Sequence, residues 1–217
     1  MHVKSITKGI KNKKWAVAPR GPHAESIPLL SIVRDVIGYA DNAREAKDII
    51  RKSHISVNGR PEKDHKHGIG FMDVLSIPET KESYRVLTGS KGLYLKDITA
   101  KEQNLKLLRV NKKTILSAGR IQLNLHDGTN IITDKKDVKV NDTLLVEIPS
   151  LKIKEKVEYA KGNFALIFKG RHGGKTGTIT DVVVGTPTRK SLTLIEDIQT
   201  LTEYVMVVGK NKPLIAI

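Results

Sequence analysis

Residues 42–60 read Asn-Ala-Arg-Glu-Ala-Lys-Asp-Ile-Ile-Arg-Lys-Ser-His-Ile-Ser-Val-Asn-Gly-Arg. The stretch changes periodicity halfway. Asn42 with Glu45 three residues later makes a capping box, and Ala43, Ala46, Ile49 and Ile50 fall on one helical face. Arg44, Lys47, Arg51 and Lys52 face away from it. The pattern then becomes that of a strand at His54-Ile55-Ser56-Val57. Asn58-Gly59 tolerates positive φ at both positions, which marks a tight turn. Pro61 just beyond confines any strand there to an edge.

Upstream, Leu29, Ile32, Val33 and Val36 recur at helical spacing, with Leu30 and Ile37 widening the stripe. Ser26 is a candidate cap, Pro28 suits a first turn and Gly38 interrupts the end. Downstream, Arg60 to Gly68 is a polar loop, and Asp73 to Ile77 alternates as a strand closed by Pro78. Two helices and short strands are therefore expected over 26–90.

Residues 80–155 read as β-rich. Thr99 and Glu102 could cap one short helix. Ile121, Leu123 and Leu125 alternate with Gln122 and Asn124, and Asp127-Gly128 turns the chain into Ile131-Ile132. Leu144 to Ile148 is another strand, while Lys112-Lys113 and Lys135-Lys136 fall at expected loops. Over 157–217, short strands alternate with glycine-rich turns, a spacing that suggests a small barrel.

The 217 residues carry 38 Lys and Arg against 23 Asp and Glu, a formal charge of +15. The excess is +6 over 1–90, +5 over 91–155 and +4 over 156–217, so no single tail produces it. Such a balance points to a polyanionic partner. Aromatics are only 4%, against an aromatic-lined cavity or a base-stacking sheet as the main device. The longest apolar runs, such as Tyr204 to Val208, fall far short of the roughly 20 residues of a membrane span. The basic N-terminus has no apolar stretch behind it and is not a secretory signal. With no cysteine, thiol catalysis and disulfides are excluded, and a cytoplasmic location fits.

Residues 1–24 hold Lys4, Lys8, Lys11, Lys13, Lys14 and Arg20, with no acid before Glu25. A segment so poor in apolar residues reads either as a solvated tail or as an arm that orders on nucleic acid. Trp15 favours the arm, because an indole can stack or anchor.

Gly174-Lys175-Thr176 matches the end of a phosphate-binding nucleotide loop. The required glycine five positions earlier is absent, since residue 169 is Lys. Such a loop also opens a helix, whereas Thr178 to Val184 reads as a strand. Lys169, Arg171, His172 and Lys175 in a glycine-rich hairpin instead suit nucleic-acid phosphates. His65 and His67 flank a cation and lack a convincing third partner, so no metal is expected. The acids are scattered singly, and no acid–base pair or nucleophile constellation emerges.

Ile55-Ser56-Val57-Asn58-Gly59-Arg60 with Asp73 to Ile77 resembles the RNA-binding domain named after bacterial small-subunit ribosomal protein four. Lys169 to Val184 resembles a KOW motif, its glycine being Gly177. With Trp15, Ala18-Pro19-Arg20, Gly21-Pro22-His23, Gly70 to Val74 and Gly209-Lys210-Asn211-Lys212-Pro213, the chain resembles the e-type small-ribosomal-subunit protein four family of archaea and eukaryotes. It stops at Ile217 without the basic extension of many eukaryotic members, which favours the archaeal type. The resemblance implies a mixed α+β, multi-module protein. Its parts are a basic N-terminal arm (1–25), a small α/β RNA-binding domain (26–90), a central β-rich module (91–155) and a KOW-type SH3-like β-barrel (156–217).

Its expected role is structural and non-catalytic, bound to small-subunit ribosomal RNA beside neighbouring ribosomal proteins, with no cofactor, membrane or small-molecule substrate. Candidate RNA contacts are the arm lysines with Trp15, Arg20 and His23, then Arg44, Lys47, Arg51, Lys52, Asn58, Arg60 and Lys63, then Lys169, Arg171, His172 and Lys175. Two alternatives stay open: a non-ribosomal transcription or translation factor with a KOW module, and an accessory domain of an RNA-modifying enzyme.

Overall fold

The computed structural model describes residues 17–21, 26–52, 54–90, 92–186 and 188–217. Two compact units, Met1–Asn104 and Leu105–Ile217, each have their own internal contacts. The architecture is mostly β, with two short helices and several antiparallel sheets.

In chain order the first unit holds β1 (Ser26–Pro28), helix α1 (Leu29–Ser31 continuing through Ile32–Ile37), α2 (Ala43–Arg51), β2 (Ser56–Val57), β3 (Arg60–Pro61), β4 (Gly68–Gly70), β5 (Val74–Ile77), β6 (Glu82–Gly89) and β7 (Gly92–Asp97). Ser26 does not cap α1. It lies in β1, which pairs with β4, and Pro28 stands extended just before the first helical residue. From Ile32 the helix widens to a π-type coil and stops at Gly38, in the left-handed region at φ 84°. Asn42 caps α2 as expected, its side-chain oxygen accepting from Arg44 N–H at 2.9 Å and Glu45 N–H at 3.0 Å. Glu45 returns the contact by accepting from the Asp41 N–H at 3.1 Å.

The main sheet runs β3-β2-β5-β6-β7. Asn58 and Gly59 join β2 to β3 with φ of 51° and 75°, the turn expected from the dipeptide. Leu29, Leu30, Ile32, Val33, Ala46, Ile50, Ile69 and Leu75 form one buried cluster in this unit. Fully burying one such Leu or Ile side chain contributes roughly 1.5–3 kcal/mol. The boundary expected between 90 and 91 falls inside the β6–β7 hairpin, where Gly89 faces Gly92. No helix forms at Thr99: the chain turns there, with Glu102 N–H bonded to Thr99 O at 2.9 Å. Glu102 is instead needed for Arg85, which is 0% exposed and reaches its carboxylate at 3.2 Å and its carbonyl at 3.1 Å.

The second unit contains β8 (Leu105–Ile115), β9 (Ile121–Leu125), β10 (Asn130–Thr133), β11 (Thr143–Glu147), β12 (Lys152–Val157), β13 (Phe164–Ile167), β14 (Thr176–Val183), β15 (Leu192–Ile195), β16 (Ile198–Leu201) and β17 (Val205–Gly209). They form two sheets ordered β10-β9-β8-β11-β12 and β16-β15-β14-β13-β17. Two long strands bend these sheets. β8 pairs with β11 through its first half and with β9 through its second, slipping register between Val110 and Lys112. β14 likewise passes from β13 to β15, slipping between Ile179 and Asp181. Lys112 and Lys113 therefore lie in a strand, not in the expected loop: pairing with apolar β9 extends β8 through a polar stretch.

Buried charge is held by specific partners. Lys106, 2% exposed, donates to Asp127 Oδ2 at 2.9 Å. Burial alone would raise the Asp127 carboxyl, but the Lys106 charge and hydrogen bond, with the Thr129 N–H, hold it below the ordinary carboxylate range. Arg109 of β8 donates to Asn111, to Asn141 and, at 3.3 Å, to the Thr202 carbonyl, tying the two sheets of this unit together.

Candidate nucleic-acid interface

The cap at Asn42 and the buried pair Ala46 and Ile50 fix the rotation of α2. That rotation leaves Arg44 and Arg51 exposed and Lys47 half-buried. The loop between β3 and β4 comes up beside them. Its backbone is pinned where Leu30 N–H reaches His65 O at 3.0 Å, Leu29 N–H reaches His67 O at 2.9 Å and Arg20 N–H reaches Lys66 O at 2.7 Å.

One imidazole registers the resulting field. Burial, then the positive charges of Lys47, Lys66 and Arg51, hold His65 below its ordinary value, with Asp64 opposing them. Lys47, Arg51, His65 and Lys66 thus form one cationic neighbourhood built from two separate segments. The acids of the loop are already engaged. Asp64 pairs with Arg20 at 3.0 Å, and Glu62 pairs with His67 at 3.0 Å while accepting the N–H groups of Lys63 and Asp64. Among the described residues, Lys47, Lys66, Arg60 and Lys63 have no carboxylate within 4 Å.

Other expected contacts land elsewhere. Lys52 lines a groove on the opposite edge of α2. Half-buried Asn58 donates to Asp73 Oδ1 at 2.8 Å and accepts from Val74 N–H at 3.0 Å. Its side chain locks the turn against β5. Lys4, Lys8, Lys11, Lys13, Lys14, Trp15 and His23 lie outside the described residues. His65 and Lys66 were not singled out as contacts from sequence. The density of cations in the loop was a usable signal, but its proximity to α2 was not.

The second cationic site is the loop between β13 and β14. Phe164 faces Thr178 and Leu166 faces Thr176, so Lys169 to Lys175 is the bend of an antiparallel pair, with a strand and not a helix after it. This removes the geometry of a nucleotide-phosphate loop. Gly174 N–H bonds Ile167 O at 2.7 Å and Lys175 N–H bonds His172 O at 3.2 Å. Gly170 adopts φ 81°, and a Cβ there would stand 3.0 Å from the Tyr204 ring. Gly177 has a packing role. It sits within β14 at a close approach, where a Cβ would stand 2.8 Å from Glu196 Oε1 and 2.9 Å from Ile195 Cγ2. Lys169 lies 5.8 Å above the Phe168 ring centroid. Arg171 and Lys175 are exposed without a carboxylate within 4 Å among the described residues, and His172 is half-buried.

Bent antiparallel sheets carrying two exposed clusters of cations define a basic, predominantly β protein of the polyanion-binding kind. Comparison with known proteins narrows the class. A family model described as ribosomal family S4e matches residues 80–153. A protein of Methanosphaera stadtmanae named small ribosomal subunit protein eS4 is 40% identical over 215 residues, covering 95% of this chain and 89% of that one. Its namesake in Aeropyrum pernix is 40% identical over 224 residues, covering 95% and 88%. The crystal structure of the 30S ribosomal protein S4e from Thermoplasma acidophilum superposes with a TM-score of 0.76 at 37% identity, covering 86% of this chain and 96% of that one. The chain belongs to the S4e family of ribosomal proteins, in its archaeal type.

Proposed function

We propose that this protein is a structural, non-catalytic component of the small ribosomal subunit, bound to ribosomal RNA in the cytoplasm and flanked by other ribosomal proteins. The observation that carries the reading is the pairing of family membership with cations that no carboxylate neutralises among the described residues, at exposed Lys66 and half-buried Lys47 in one unit and at exposed Arg171 and Lys175 in the other. Such side chains are ready to replace counterions on phosphates, and the released ions supply much of the affinity. Double-helical RNA hides its major-groove edges, so recognition here runs through backbone and shape. From sequence, Lys4, Lys8, Lys11, Lys13, Lys14, Trp15, Arg20 and His23 are further candidate RNA contacts; Arg44, Arg51, Arg60 and Lys63 join those of the first unit, and Lys169 and His172 those of the second. The bend of β14 and the close approach at Gly177 support reading residues 156–217 as a KOW-type barrel.

The test is co-sedimentation with small subunits after a high-salt wash, with the tagged protein expressed in an archaeal host. Stable retention on the small subunit is expected. Release into the soluble fraction, with binding to other RNAs, would identify a non-ribosomal factor.

A further inference from the structure

On the edge of α2 away from the cationic neighbourhood lies a groove of 480 Å³, wholly within the first unit. Its floor is apolar: Ile55 and Ile77 from the core, Ile49 half-buried, and the ring of Tyr39, which is 37% exposed. Its rim is acidic. Glu45, Asp48 and Glu79 line it, and Glu82 joins them by accepting from the Tyr39 hydroxyl. The opposing positive groups are Lys52, His54, which is paired with Glu79, and Arg51, which reaches Asp48 at 4.0 Å. A net-negative groove on a chain of charge +15 repels the phosphates that the other edge of the helix attracts.

We propose that this groove docks a lysine- and arginine-rich segment of a neighbouring protein chain. Long basic side chains match both features of the site. Their aliphatic stems cover apolar surface while their charged heads reach outward to carboxylates. Helix α2 then divides two partners along its length: Lys47 turns to nucleic acid and Ile49 to polypeptide, with the Arg51–Asp48 pair at 4.0 Å between them. The inference rests on the ribosomal reading above, since it supposes a crowded assembly of basic proteins.

The chain has no cysteine, so Thr80→Cys places a single thiol at the exposed rim of the groove. The thiol is coupled to a benzophenone, the protein is incorporated into reconstituted small subunits, and photo-crosslinked products are mapped by mass spectrometry. The expected product is a lysine- or arginine-rich peptide of another protein. Its yield should fall about three- to tenfold when Asp48→Asn and Glu79→Gln are added, because two exposed ion pairs are lost. Crosslinking to RNA, crosslinking to an acidic or apolar peptide, no crosslink in an incorporated protein, or a yield indifferent to the two neutral substitutions would each overturn the proposal. Failure of the labelled protein and of the unlabelled wild type to enter the subunit would instead refute the ribosomal reading itself.

Discussion

Replacing Lys47, Arg51 and Lys66 together with alanine tests whether the cationic neighbourhood around His65 is an RNA surface. Each of the three side chains contributes to the field at that imidazole, so they act from one place. If each neutralises one phosphate, the slope of log affinity against log salt falls by about 2–3, at about 0.7–0.9 per contact. Between 50 and 200 mM salt the wild type should then lose about 20- to 40-fold more affinity than the variant. Filter binding of a small-subunit ribosomal RNA fragment over that range measures the difference. Lys66 and Arg51 are exposed and Lys47 is half-buried, so urea unfolding should shift by no more than about 1 kcal/mol. A parallel salt dependence in the two proteins would refute the reasoning, and a large loss of stability with intact affinity would make these residues structural.

Arg171→Ala with Lys175→Ala should weaken binding about equally for unrelated RNA sequences, because phosphate contacts carry no base information. Calorimetry should detect no ATP or GTP binding, and saturable nucleotide binding lost in Lys175→Ala would overturn the assignment. Asp127→Ala leaves Lys106 charged at 2% exposure and should cost about 3–5 kcal/mol in urea unfolding, most of it recovered by adding Lys106→Met. A cost below about 1 kcal/mol would show that the pair is hydrated. Because the folded Asp127 carboxyl is held low, its stabilisation is full above about pH 4 and is lost as pH falls through the folded value. His65 behaves oppositely. In the free protein its imidazole resists protonation, so acidification through about pH 6.5 favours the unfolded chain, whereas a phosphate would favour the imidazolium. RNA affinity should therefore rise from pH 7.5 to 6.0 and rise less in His65→Gln; identical pH profiles would contradict this. Gly177→Val should cost about 1–3 kcal/mol by overpacking against Ile195, checked by thermal unfolding.

Local grammar made much of this fold legible. Asn42 with Glu45, Asn58-Gly59 and Asp127-Gly128 each form the cap or turn that their chemistry implies. What stayed hidden depends on distant partners. Nothing in Asn-Lys-Lys-Thr-Ile at 111–115 shows a strand until Ile121 to Leu125 lies alongside it. Glu102 resembled a capping residue because the buried Arg85 that engages it is 17 positions away. The candidate site divides the same way. The glycine-rich hairpin was visible because its cations are contiguous. The cluster at Lys47, Arg51, His65 and Lys66 was only half visible, since α2 supplied part and a loop with no distinctive motif supplied the rest. At Asn58 the sequence showed the turn but not the side chain's bonds to Asp73 and Val74, which lie 15 and 16 positions away.

Strand β17 is buried along its whole length and closes against β13, while β14, β15 and β16 between them pair as successive hairpins. During synthesis those hairpins emerge with one flank of β13 still bare. An open apolar edge of that kind recruits other chains. A polypeptide interrupted before Val205 would carry the first unit in full and yet expose this flank, making it a target for chaperones and proteases. β17 thus covers a flank of β13 that would otherwise stand as an open apolar edge.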